Sequence, residues 1–179
     1  FRRQFTHAWV PGMFQFEYAR RLGFPREKIL TGMYSADTAL FEAVYGPAKA
    51  AKAYKYPHQI LYVGRYLDYK GVLELYHAFK ELSEEQSHDW ELLLVGNGPL
   101  KDELKETHNI RFQDFVQPDQ LPQLAMTAGA FVLPSRRDAW GVVLHEFAAA
   151  GLPLISTDAA GGITAFVKEG YNGFVHRRR

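Results

Sequence analysis

From Tyr56 onward the chain alternates short apolar runs with segments of helical periodicity, and this alternation limits its fold more than any other feature. Strands joined through helices run parallel, because a parallel neighbour needs a long crossover that is most often helical. His58 to Gly64 reads as a buried strand. Val72 to Glu85 places Val72, Leu75, Tyr76, Phe79 and Leu82 on one face, which predicts an amphipathic helix. Glu91 to Val95 is the next strand, Pro99 to Glu106 a short polar helix opened by Pro99, and Ile110 to Phe112 another strand. Gln120 to Thr127 (helix), Ala130 to Leu133 (strand), Val142 to Ala150 (helix) and Pro153 to Ser156 (strand) continue the series. Gly161 to Lys168 adds a helical turn or two before Gly173 to Val175. About five βα units with short connections predict a Rossmann-like α/β fold, a parallel sheet with flanking helices.

Residues 1 to about 55 do not share the pattern. Thr6 to Val10 reads as a strand, Pro11 to Leu22 as a helix ended by Gly23, and Pro47 to Tyr54 as an Ala/Lys-rich linker. The chain opens on Phe1 without the form of a signal peptide and closes on a basic run, so it reads as a fragment of a longer polypeptide. Composition removes several classes. With 47% hydrophobic and 23% charged residues, global disorder is excluded, and no apolar run approaches the roughly 20 residues of a membrane span. A net charge of +1 predicts no bulk affinity for nucleic acid. The absence of cysteine removes disulfides, thiolate metal sites and cysteine nucleophiles.

In an open parallel sheet, ligands lie beyond the carboxyl ends of the strands, so the residues just after each strand are the first candidates. Arg65 and Lys70 put two cations beside a helix N-terminus that already favours an anion, which suits a phosphate. Two basic residues can equally serve to solvate one loop. Gly96 and Gly98 lack the third glycine of a dinucleotide fingerprint, since position 101 is Lys101, which disfavours a nicotinamide or flavin cofactor. Asp138 precedes a helix and Glu146 sits inside it, followed by the apolar run Phe147 to Pro153. A carboxylate in such surroundings is costly without partners, and that favours a functional role.

Four motifs occur in order: GRYLDYKG (Gly64 to Gly71), LLLVGNGP (Leu92 to Pro99), VLPSRRDAWGVVLHEFAAAGLPLIST (Val132 to Thr157) and EGYNGF (Glu169 to Phe174). Together they resemble the carboxy-terminal, nucleotide-sugar-binding half of the family 4 (group 1) retaining glycosyltransferases of two-Rossmann GT-B architecture. The resemblance covers about residues 56 to 175, and residues 1 to 55 resemble the end of the amino-terminal domain and the interdomain connection. It implies a division into residues 1–55 and a truncated donor domain, 56–179. In the family's pattern, Arg65 and Lys70 match the basic pair that holds the donor diphosphate. Asp138 and Glu146 match the paired acids, the first on sugar hydroxyls and the second on ribose hydroxyls. Gly64 and Gly98 fall in the loops around the diphosphate, Phe115 and Val116 where the nucleobase lies, and the backbone of Ala139, Trp140 and Gly141 along the sugar. Two positions depart from the family: Asp138 stands for the usual Glu, and Asp114 stands where Gly is common.

The resemblance implies a metal-independent transfer of a hexose-type sugar from a nucleoside-diphosphate sugar, with no cofactor. The acceptor, a glycan, lipid or small molecule, is expected to bind through an absent amino-terminal domain, and the isolated fragment to be inactive. No nucleic-acid partner is expected, and the location implied is cytoplasmic with peripheral contact to the inner membrane face. Two other readings remain at this stage: a non-catalytic nucleotide-binding module that partners a glycosyltransferase, and a sugar-nucleotide epimerase of the same architecture.

Overall fold

The computed structural model of the chain describes residues 4–177; Arg178 and Arg179 of the terminal basic run lie outside the described residues. A small amino-terminal unit pairs strand β1 (Ala8–Trp9) with β2 (Ile29–Leu30) in parallel, and helix α1 (Met13–Arg21) joins them. Phe16, Ala19, Phe24 and Ile29 form its core. The larger unit contains β3 (Gln59–Val63), β4 (Glu91–Val95), β5 (Ile110–Gln113), β6 (Ala130–Leu133), β7 (Leu154–Thr157) and β8 (Gly173–His176). All pair in parallel, as the alternating pattern predicts, and their order is β5-β4-β3-β6-β7-β8.

Helices cover the sheet because parallel strands are apolar on both faces. On one face α3 (Val72–Glu85) buries Val72, Tyr76 and Phe79 against Tyr62, Leu92 and Leu94. On the other lie α2 (Thr38–Tyr54), α4 (Leu121–Thr127) and α5 (Val142–Ala149). Their Phe41, Ala125 and Phe147 meet Leu61, Phe131 and Leu154 of the strands, with Phe131 and Phe147 stacked at 4.3 Å. A single turn, α6 (Ile163–Phe166), follows β7. No helix among the described residues is long and apolar enough to cross a membrane.

Two expected elements differ. Pro47 to Tyr54 is not a linker but the second half of α2, with Pro47 inside the helix. The run AKAAKAY consists mostly of strong helix formers, and the helix docks on α4, where the Lys52 ammonium donates to the Ala125 carbonyl at 2.7 Å. The stretch Pro99 to Glu106 makes only a short 3-10 turn, Lys101–Glu103. Leu104 is its only buried apolar side chain, so little packing free energy supports a longer helix.

Candidate functional site

The sheet order reverses between β3 and β6. From β3 the chain steps outward through β4 and β5, then returns to the other side of β3 for β6, β7 and β8. The loops leaving β3 and β6 therefore part to opposite faces, and a crevice opens beyond the strand carboxyl ends. Two adjoining chambers of about 490 and 470 Å³ fill it, both bounded by Val63, Gly64, Arg65, Val142 and Val143.

The first chamber is largely apolar, lined by Val95, Phe115, Val116 and Leu121, with Glu146 as its acid. Phe115 is 68% exposed, so its ring is free to stack on a flat ligand. Glu146 lies one turn into α5. Its carboxylate has no ion-pair partner among the described residues, and burial raises its pKa above the ordinary value of 4.5. A desolvated acid of this kind is stabilised by ligand hydroxyls that donate to it. Gly96 and Asn97 reach the chamber, whereas Gly98 packs behind them: a Cβ there would lie 2.5 Å from the Tyr66 carbonyl oxygen.

The second chamber contains an ion pair. The Lys70 Nζ donates to Asp138 Oδ2 at 2.7 Å, and the two side chains are only 21% and 11% exposed. Asp138 also accepts from the Trp140 backbone N–H at 3.3 Å and the Ser135 hydroxyl at 3.5 Å. Gly71 makes this pairing possible. Its φ of +71° turns the chain from the 3-10 turn Asp68–Lys70 into α3, and a Cβ at this position would lie 2.2 Å from the Pro134 carbonyl oxygen. Helices α3 and α5 both begin at this cleft without side-chain caps, so free backbone N–H groups and the positive ends of two dipoles favour an anion there. Arg65 is exposed at the boundary of the chambers and reaches the Tyr69 hydroxyl at 3.4 Å. The Tyr62 hydroxyl donates to the Arg65 carbonyl at 3.0 Å, which fixes the turn after β3.

Ala139, Trp140 and Gly141 border the second chamber, but the Trp140 ring, 5% exposed, turns away to meet Phe166 edge-on at 5.6 Å. It also lies against Gly12, where a Cβ would fall 2.5 Å from Cζ3. Beside it the Gln15 side chain donates to the Ala139 carbonyl at 2.5 Å, so α1 is fastened to the loop between β6 and α5. The fold thus gathers Gly64, Arg65, Lys70, Phe115, Val116, Asp138, Ala139, Trp140, Gly141 and Glu146 around one cleft. The cleft is also lined by Asn97 and Tyr69, to which the sequence motifs assign no role, and by Tyr34. The first two stand inside quoted motifs and could have been found there; Tyr34 carries no local signal. Among the described residues no group of three or more His, Asp or Glu is placed to hold a metal ion.

Comparison with known proteins supplies the context. The family model for glycosyl transferases group 1 matches residues 48–178. A glycosyltransferase of Methanocaldococcus jannaschii is 32% identical over 121 residues, covering 64% of this chain and 30% of that protein. The alpha-D-kanosaminyltransferase of Streptomyces kanamyceticus is 25% identical over 170 residues, covering 89% and 44% respectively. The chain therefore spans less than half the length of either relative. The crystal structure of Anabaena HepE in complex with UDP-glucose superimposes with a TM-score of 0.69 at 16% identity, over 96% of this chain and 50% of that one.

Proposed function

The chain belongs to the glycosyl transferases group 1 family, and from that premise we propose that it is the donor-binding half of a retaining enzyme that moves a hexose-type sugar from a nucleoside diphosphate to an acceptor hydroxyl. The observation that carries the reading is the two-chamber cleft at the β3/β6 switch point, apolar with one lone acid on one side and polar with an ion pair on the other. The apolar chamber suits a base beside Phe115 and Val116 and a ribose whose hydroxyls donate to Glu146. The diphosphate falls between Arg65, Lys70 and the uncapped starts of α3 and α5. The sugar then occupies the chamber of Asp138. The Anabaena relative was crystallised with UDP-glucose, which supports a donor of this class.

In this reading Lys70 exchanges Asp138 for a phosphate oxygen when the donor binds, and Asp138 is released to accept a sugar hydroxyl. Negative charge grows on the leaving diphosphate as the glycosidic bond breaks. Arg65, Lys70 and the helix N–H groups stabilise that charge without a metal. Residues 1–55 are assigned to the end of an acceptor-binding domain and its connection. Because transfer requires donor and acceptor to be positioned together, the chain alone binds donor without turnover. Thermal shifts with UDP, GDP and ADP in the presence of EDTA test the reading: at least one raises the melting temperature, and no shift with any of the three refutes it.

A further inference from the structure

In the donor site proposed above, which this inference rests on, the apolar side of the sugar needs a facing wall. A hexose presents hydroxyls around its rim and C–H groups on its faces, and ligand pockets meet such faces with aromatic or aliphatic walls. Four aromatic residues border the sugar chamber: Tyr34, Tyr62, Tyr69 and Trp140. Three are committed elsewhere. Tyr62 is fully buried with its hydroxyl bonded to the Arg65 carbonyl. Tyr69 holds Arg65 through its hydroxyl and lies 5.8 Å from the Lys70 ammonium, on the diphosphate side. Trp140 is packed on Phe166 and Gly12. Tyr34 is 48% exposed and has neither a side-chain hydrogen bond nor a ring contact among the described residues.

The backbone around Tyr34 is nevertheless pinned on both sides. The Met33 N–H donates to the Val10 carbonyl at 3.4 Å, and the Ala36 N–H to His145 Nδ1 at 3.2 Å. His145 is held in turn by stacking on Phe166 at 4.4 Å, and Asp37 caps α2 by accepting from the Leu40 N–H at 3.3 Å. A loop tied on both sides presents an uncommitted aromatic side chain to the cleft with a reduced ordering cost in its backbone. We infer that the Tyr34 ring packs on the C–H face of the transferred sugar, in the chamber it shares with Lys70 and Asp138, and helps select it. The segment between β2 and α2 thus supplies one wall of the proposed donor site.

The test titrates the chain with UDP and UDP-glucose, and in parallel with GDP and GDP-mannose and with ADP and ADP-glucose, in the parent, Tyr34→Ala and Tyr34→Phe. For the pair that binds, the parent holds the sugar nucleotide more tightly than the bare diphosphate. Tyr34→Ala lowers that advantage about fivefold or more while leaving diphosphate affinity unchanged, and Tyr34→Phe retains it. Nuclear Overhauser contacts between tyrosine ring protons and hexose C–H protons in the parent give a readout independent of any variant. Equal sugar advantage in the parent and Tyr34→Ala, or no sugar advantage in the parent, overturns the role of Tyr34 and spares the donor site. Failure of the parent to bind all three diphosphates overturns the donor site, and this inference with it.

Discussion

The two chambers of the cleft share five bounding residues yet handle charge in opposite ways. In the polar chamber Lys70 and Asp138 neutralise each other at 2.7 Å, so an anion that takes Lys70 has to separate a pair. In the apolar chamber Glu146 stands alone, with its pKa raised by burial, so binding there begins by supplying a partner. In the proposed site, one half gives up an internal pair to take a ligand and the other gains a partner from it. A paired charge is expensive to halve, whereas a lone desolvated charge is a cost that its removal relieves.

The largest effect expected from this contrast is at Lys70. Lys70→Ala removes a charge-assisted contact worth about 1.5–3 kcal/mol, a loss of roughly 10- to 150-fold in affinity for a nucleoside diphosphate. It also leaves Asp138 mostly buried and unpaired, so the melting temperature falls as well. Adding Asp138→Asn should restore part of the stability but not the binding. Unchanged calorimetric affinity for inorganic diphosphate in Lys70→Ala would break the contrast. Arg65→Ala, at an exposed position, should weaken diphosphate binding with little change in stability.

Glu146→Gln should behave in the opposite way on stability. Affinity for ribose-bearing ligands falls, inorganic diphosphate is unaffected, and the ligand-free melting temperature rises because a desolvated charge is gone. The pH dependence follows from the direction of the shift. With its folded pKa raised, Glu146 binds more protons in the folded than in the unfolded state, so its contribution declines as pH rises above about 4.5. The stability difference between Glu146→Gln and the parent should therefore grow from pH 4 upward and then level; a difference independent of pH would contradict the assignment.

Phe115→Ala should cost only a few-fold for nucleoside diphosphates and nothing for inorganic diphosphate, since stacking by an exposed ring is worth about 1 kcal/mol. The smallest effect on binding, none, is expected at Lys52, a lone buried cation outside the cleft whose pKa is pushed down to about 8 by burial. There the unfolded state holds more protons between about pH 8 and 10.5, so the contribution of Lys52 to stability rises across that window. Lys52→Met should flatten that part of the stability–pH curve without altering ligand affinity, as parallel denaturant titrations can measure.

The parallel α/β architecture was legible in the chain alone, because strand and helix periodicities are local: Val72–Glu85, Glu91–Val95 and Ala130–Leu133 lie where the pattern puts them. Motif order also determined most of the cleft, since residues after strand ends must gather at one edge of a parallel sheet. Tertiary structure decided the rest. Pro47 and the Ala/Lys composition read as a linker, but packing of Phe41 and Lys52 makes the segment a helix. The turning of the Trp140 ring away from the second chamber depends on Gly12, far back in the chain. Lys70 and Asp138 are 68 residues apart, and they meet only because β6 returns to lie beside β3. Tyr34 enters the cleft because Ala36 is fastened to His145 across 109 residues. Such partnerships arise from strand order and loop anchoring, which are properties of the whole chain and leave no mark on the residues nearby.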